Sequence, residues 1–309
     1  MSENSQKEIP LTDGWREVVG DWTKKDGKIT HEASVNSTES DKIYINDTTA
    51  SDGYLKAKIR ILNEEAGGEK QGQLVFRYRN AQQYYFAGIG GWYTRFSIGK
   101  RVPQGWGNLA VLGHQEEVKL DTSFDIKVSF IGTKIELHLG GVRLLEANDN
   151  LSPFLNGNVG LRTFKQNKVV FEEVKLSQDE PRSFVIMPFD EKYRSLYETF
   201  IKTLLSDLGL ETKRADEIFG TNPIIQDILE NIQKSRLIIA FVTGSNPNVL
   251  YEIGVAHTLK KDVIILTPDV KNLPFDIRHL RCIQYEDSLA GSEKLRSDLE
   301  LTVKQILST

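Results

Sequence analysis

The chain has 309 residues, with 43 acidic against 39 basic side chains and a net charge of −4. That length suits two domains with a core each, and that charge excludes a global field for nucleic acid or an acidic membrane. No apolar run reaches membrane-spanning length, the polar segment Met1–Lys7 lacks the apolar core of a signal peptide, and the single cysteine, Cys282, cannot form an internal disulfide, so a soluble cytoplasmic protein is expected.

From the start to about Leu176 the apolar residues alternate with period two. Strands are expected at Tyr54–Leu62, Gln73–Tyr78, Phe124–Phe130 and Lys134–Leu139. They are punctuated by Gly67-Gly68, Gly88 to Gly91, Ile131-Gly132 and Gly140-Gly141. No amphipathic helix interrupts them. Many short strands at regular spacing predict an all-β sandwich, or jelly roll, over residues 1–176. All four tryptophans, Trp15, Trp22, Trp92 and Trp106, lie here.

Residues 177–182 are polar, contain Pro181, and read as a linker. Beyond them, over 183–309, the period becomes helical and strands alternate with helices. Strands are predicted at Ser183–Pro188, Glu211–Ala215, Leu237–Val242, Val263–Thr267 and Cys282–Tyr285. Helices are predicted at Lys192–Leu208, Pro223–Lys234, Asn248–Lys260 and Gly291–Leu307. Three of the strands are continuous apolar runs, as strands covered on both faces should be. The pattern predicts a doubly wound parallel sheet of five strands in the order 2-1-3-4-5. Asn222-Pro223 and Asn246-Pro247 each supply a cap and a first-turn proline. Cys282, on the last strand, reads as a small buried hydrophobe.

In that order the ligand crevice lies at the carboxyl ends of the first and third strands. Glu252 is placed there. At 100° per residue, Val255, Ala256 and Leu259 lie within about 60° of it, so its carboxylate faces the sheet. A buried charge needs a partner or a use. The crevice would hold Phe189 as a stacking surface, Asp190 and Asp216 as acceptors, Ser245 and Asn248 as hydrogen-bonding groups, and Glu252 at its floor. Pro188, Phe219, Gly220, Thr243, Asn246 and Tyr251 complete the lining. Asn248, one turn before Glu252, could orient the carboxylate or a ribose hydroxyl. Asp227, at the edge of its helix's apolar face, reads as solvated. Dinucleotide, P-loop and nucleophile-elbow signatures are absent, and the five histidines show no zinc spacing. A buried carboxylate beside ribose-suited groups fits attack at an anomeric carbon.

The run Asn246-Pro-Asn-Val-Leu-Tyr-Glu-Ile-Gly-Val-Ala-His257, followed by Val263-Ile-Ile-Leu266, resembles the nucleoside 2-deoxyribosyltransferase family. That family shares a flavodoxin-like fold with nucleotide N-glycosidases and TIR domains. Met187-Pro-Phe-Asp190, Arg214 to Gly220 and Pro274 to Leu280 resemble a TIR-like bacterial subgroup. The resemblance implies that Glu252 is the catalytic residue and Asn248 a sugar-hydroxyl partner, with Phe189 stacking on a base that Asp216 helps to bind. Position 248 is Asn where many transferases carry Asp. In the first half, Asp13-Gly-Trp15, Gly20-Asp-Trp22 and Asn158-Val-Gly-Leu-Arg162 resemble concanavalin-like or laminin-G-like jelly rolls. Such domains often bind carbohydrate, with Trp92, Tyr93 and Trp106 as the candidate sugar platform.

The expected function is therefore an N-glycosidase cleaving the base–ribose bond of a nucleoside, nucleotide or NAD. It would serve as a bacterial antiviral-defence effector, with the sandwich as sensor or assembly domain. The alternatives are a non-catalytic nucleotide-sensing module and a cytosolic carbohydrate-binding protein. No metal or cofactor is expected, NAD entering only as a substrate. A carbohydrate or protein ligand at the sandwich and a homo-oligomer are the expected partners, without membrane or direct nucleic-acid binding.

Overall fold

Period-two alternation becomes strand throughout the first half. The computed structural model describes residues 7–33, 40–63, 69–188, 190–217, 224–244, 246–286 and 288–307. The chain divides into two units, Met1–Asp179 and Glu180–Thr309.

In the first unit the described strands are β1 (Ile9–Pro10), β2 (Trp15–Val19), β3 (Trp22–Lys25), β4 (Lys28–His31), β5 (Asp41–Ala50), β6 (Gly53–Ile61), β7 (Gly72–Asn80) and β8 (Gln83–Ile89). They continue with β9 (Thr94–Val102), β10 (Gly105–His114), β11 (Ser123–Ile131), β12 (Lys134–Leu139), β13 (Val142–Asn148), β14 (Gly157–Phe164) and β15 (Val169–Gln178). They form two antiparallel sheets. One runs β13-β12-β11-β6-β15-β4-β3, with β1 added beside β15; the other runs β10-β9-β8-β7-β14-β5-β2. The jelly-roll expectation is met at this level.

The sheets bury their facing residues in one core. Leu55, Ala57, Ile59 and Ile61 of β6 alternate with half-buried polar neighbours and meet Leu74, Phe76, Tyr85, Ala87 and Ile98 from the other sheet. Trp22 and Trp15 each stack on Tyr44, 5.3 and 5.1 Å between centroids, so these two tryptophans serve packing. The second sheet also buries part of its outer face. Ile43, Ile45, Val75, Tyr78, Tyr84 and Phe86 form a separate apolar cluster there. β7 and β8 are therefore buried on both faces along most of their length, which simple alternation in an antiparallel sheet does not announce.

The second unit carries a five-stranded parallel sheet of β16 (Arg182–Ile186), β17 (Glu211–Arg214), β18 (Leu237–Phe241), β19 (Asp262–Thr267) and β20 (Arg281–Gln284). Its order, β17-β16-β18-β19-β20, is the expected 2-1-3-4-5. The segment expected as a linker is half strand: β15 runs to Gln178 and β16 opens at Arg182, with residues 179–181 between them. Helices α1 (Glu191–Leu196) and α2 (Lys202–Asp207) are joined by a π-helical stretch, Tyr197–Ile201. Together with α5 (Leu289–Leu307) they cover one face of the sheet, packing Tyr197, Ile201, Leu295 and Leu299 on Val185, Ile239 and Ile264. The other face takes α3 (Ile224–Lys234) and α4 (Pro247–Thr258), through Ile228, Ile232, Val249, Ile253 and Ala256. No helix among the described residues is long and apolar enough to cross a membrane.

Candidate functional site

At the carboxyl end of the parallel sheet the expected crevice is assembled only in part. Asn246 caps α4, its side chain accepting from the backbone N–H of Asn248 (3.0 Å) and Val249 (3.3 Å), and Pro247 follows as the first helical residue. This cap sets Glu252 one turn in, 8% exposed, with no hydrogen-bond partner among the described residues. Burial pushes its carboxyl up to about 7. The Thr243 hydroxyl is likewise buried without a partner.

The supporting cast differs from expectation. Asn248 is exposed and no hydrogen bond joins it to Glu252, because the buried arc of α4 is centred on Val249, Ile253 and Ala256, with Glu252 at its edge and Asn248 outside it. Tyr251 is exposed on the helix's opposite side, and Asp190 is exposed. Pro188 is half-buried. Asp216 lies in the 3-10 turn Ala215–Glu217 after β17. Phe189, Phe219, Gly220 and Ser245 lie outside the described residues, as does Gly67-Gly68 in the first half. Asp227, expected in solvent, is buried. Cys282 is half-buried, with its thiol donating to Leu280 O (3.2 Å) and pushed up by burial. Among the described residues no cluster of three metal-ligating side chains occurs.

The first unit holds a better-formed site, on the outer face of the second sheet. A cleft of about 120 Å³ is lined by Ser40, Gln71, Phe86, Gly91, Trp92, Trp106, Asn108, Arg162 and Phe164. Two walls are tryptophans that fold from different places. Trp92 lies in the β8–β9 turn, where Gly91 O accepts from Thr94 N at 3.0 Å. Trp92 and Tyr93 are its central residues, with φ of 38° and 64°. Positive φ at both central positions is the type I′ pattern, which Asn and Gly usually fill. Two bulky aromatics held there are strained, and such strain gathers at functional sites. Trp92 is 53% exposed and Tyr93 67%.

Trp106 comes from β10, an edge strand with a bulge between Asn108 and Ala110. Its ring is 39% exposed yet fixed on two sides. The indole N–H donates to Asp41 Oδ2 at 2.8 Å, and the Arg101 guanidinium lies 4.2 Å from the ring centroid.

Beneath Trp106 runs a buried polar network. Asp41 Oδ2 also accepts from the Tyr84 hydroxyl (2.6 Å), while Asp41 Oδ1 accepts from Arg162 Nε (2.9 Å) and Nη2. Burial alone would raise the Asp41 carboxyl; the Arg162 guanidinium, with the Tyr84 and Trp106 donors, outweighs it and holds the group below the usual range. Arg162 Nη1 donates to Gln71 Oε1 (3.1 Å) and to Gln73 Oε1. Its guanidinium lies 4.5 Å over the Phe86 ring, the cleft floor. Of the three aromatics expected to form a sugar platform, Trp92 and Trp106 line this cleft and Tyr93 does not. Gln71, Asp41, Phe86, Asn108, Phe164 and Arg162 were not expected there.

No family model and no curated relative matches the chain. Among solved structures it is similar to the carbohydrate-binding module CBM66 from Bacillus subtilis, at 20% identity and TM-score 0.46 over 53% of this chain and 96% of that one. It is also similar to a Bacillus subtilis protein of unknown function with a galectin-like fold, at 15% identity and TM-score 0.40 over 56% and 94%. A third, Bacillus licheniformis β-glucanase, is 9% identical, with TM-score 0.41 over 58% and 100%. Likeness this distant carries no argument about what the chain binds. What the comparisons return is a carbohydrate-binding module, a galectin-like protein and a glucanase, and nothing in them supports a nucleoside, nucleotide or NAD N-glycosidase, a TIR-like defence effector or a homo-oligomer. The N-glycosidase reading is withdrawn.

Proposed function

We propose that the sandwich unit binds carbohydrate in the cleft between Trp92 and Trp106. The observation that carries this is the convergence of two exposed tryptophans, one on a strained turn and one anchored by Asp41, on a pocket with an aromatic floor. Sugar rings present C–H faces to aromatic rings and hydroxyls to amides. The cleft supplies both, through Trp92, Trp106, Phe86 and Phe164 on one hand and Gln71 and Asn108 on the other. A larger groove of about 500 Å³ beside β1, β4 and β15 is flanked by Lys28–Glu172, Lys58–Glu173 and Lys175–Glu8 ion pairs that satisfy one another, and none of its lining residues is aromatic.

Affinity electrophoresis of the full chain through gels containing soluble polysaccharides tests the proposal. Retardation by at least one polysaccharide, lost in Trp92→Ala and in Trp106→Ala with the fold intact by circular dichroism, is expected. Retardation that survives both substitutions would place binding elsewhere and reject the cleft.

A further inference from the structure

We propose that this cleft takes an uncharged sugar and that the side-chain amide of Gln71 is the donor that selects it; the inference rests on the carbohydrate reading above.

Among the described residues lining the cleft, Arg162 is the one ionised side chain. It is 4% exposed, and its charge is already matched. Nε and Nη2 both donate to Asp41 Oδ1, and Nη1 donates to the Gln71 and Gln73 carbonyl oxygens. An incoming carboxylate or sulfate would lose its hydration beside a guanidinium that Asp41 has neutralised, and it would meet the Asp41 charge as well. Desolvation without a free counter-charge is unfavourable. The site is therefore built against acidic sugars.

Gln71 is the complementary feature. It is 3% exposed, its backbone N–H donates to Asn167 Oδ1 (3.0 Å), and its backbone carbonyl accepts from Thr163 Oγ1 (2.7 Å). Its side-chain oxygen faces a guanidinium that can only donate, which fixes the amide orientation. The group left for the cleft is Nε2, which has no partner among the described residues. Nε2 is not among the buried side-chain atoms left without a partner, so water in the cleft can reach it and a bound ligand would displace that water. A hydroxyl or ring oxygen of a neutral sugar accepts from it instead. Asn108, which also lines the cleft and has no side-chain hydrogen bond among the described residues, can accept from the same ligand.

The test compares neutral polysaccharides (galactomannan, xyloglucan, mixed-linkage β-glucan) with acidic ones (polygalacturonate, alginate) in affinity gels. It uses the wild type, Trp106→Ala and Gln71→Met, the last keeping the side chain's length without its donor. Expected are retardation by a neutral polysaccharide only, its loss in Trp106→Ala, and affinity weakened about tenfold in Gln71→Met. Retardation by an acidic polysaccharide that Trp106→Ala abolishes would overturn the inference and leave carbohydrate binding standing. Wild-type affinity in folded Gln71→Met would overturn the role of Gln71. If Gln71→Met does not fold, a salt titration of the wild type decides. Affinity unchanged between about 0.05 and 0.5 M salt fits an uncharged ligand, and a steep decline rejects it. Retardation by no polysaccharide would remove the carbohydrate reading and the inference together.

Discussion

The ring of Phe86 fills the space above Gly99 that any side chain at position 99 would need: a Cβ there would overlap Phe86 Cζ. The floor of the cleft is thus set by an absence of side chain on the neighbouring strand. Gly99→Ala should push the ring into the cleft. Overpacking of this kind costs about 1–3 kcal/mol. A lowered urea midpoint together with lost polysaccharide retardation is expected; an unaltered gel shift would show that Phe86 is not the floor that the ligand meets.

The β8–β9 turn gives a prediction in which stability and binding part company. A left-handed conformation costs a bulky residue about 1–2 kcal/mol, and glycine adopts it freely. Trp92→Gly and Tyr93→Gly should each raise stability by about 1 kcal/mol. Only Trp92→Gly should abolish binding, because Tyr93 does not line the cleft. Thermal unfolding and gel retardation of the two variants read this directly, and destabilisation of both would remove strain from the account of the turn.

Asp41 is the hub beneath Trp106. Asp41→Asn leaves Arg162 buried without its counter-charge, which costs about 3–5 kcal/mol. The wild-type carboxyl is held below its ordinary range, so its contribution is present above the unfolded chain's pKa of about 4 and fades as pH falls through the lower native value. Chemical denaturation at about pH 7 and about pH 3 should therefore separate wild type from variant by more at the first than at the second. An equal gap at both would exclude the charge as the cause.

Glu252 runs the other way. Its native carboxyl is raised to about 7, so the folded chain holds a proton that the unfolded chain has released. Its contribution is complete below about pH 4.5 and is lost as pH rises through about 7. Glu252→Gln cannot ionise and should be more stable than the wild type by about 3–4 kcal/mol above that pH, since each tenfold gain in proton affinity on folding is worth about 1.4 kcal/mol. Hydrogen exchange of the α/β half across this range measures the difference, and parallel profiles for the two proteins would contradict it.

The legible parts of the sequence were those that local rules decide. Continuous apolar runs marked β16, β18 and β19, and Asn246-Pro247 marked the start of α4. The burial of Glu252 followed from its helical phase. Asn248, one turn earlier, is exposed because the buried arc is centred on Val249, Ile253 and Ala256 and Glu252 only borders it. The cleft was illegible for a different reason. Trp15 and Trp22 pack in the core while Trp92 and Trp106 border the cleft, and glycines flank members of both pairs. What separates them is distant in the chain. Trp106 is anchored 65 residues away on Asp41, and Arg162 reaches 121 residues back to the same carboxylate. Gln71 reads as an ordinary solvated glutamine until Arg162, 91 residues on, turns its amide.

The bulge in β10 bears on solubility as much as on recognition. The strand has no Asp, Glu, Lys or Arg along its length, exposes Leu109, Val111 and Leu112, and among the described strands is hydrogen-bonded on one side only, to β9. Charged side chains are the common protection for such an edge, and here a kink stands in their place. Leu109 is the inserted residue, since Asn108 pairs with Gly99 and Ala110 with the next residue along, Ile98. Its removal would leave every cross-strand partner of β10 where it is and Trp106 on the same face. The border of the sheet would become straight and uncharged, a template on which further chains could assemble without limit.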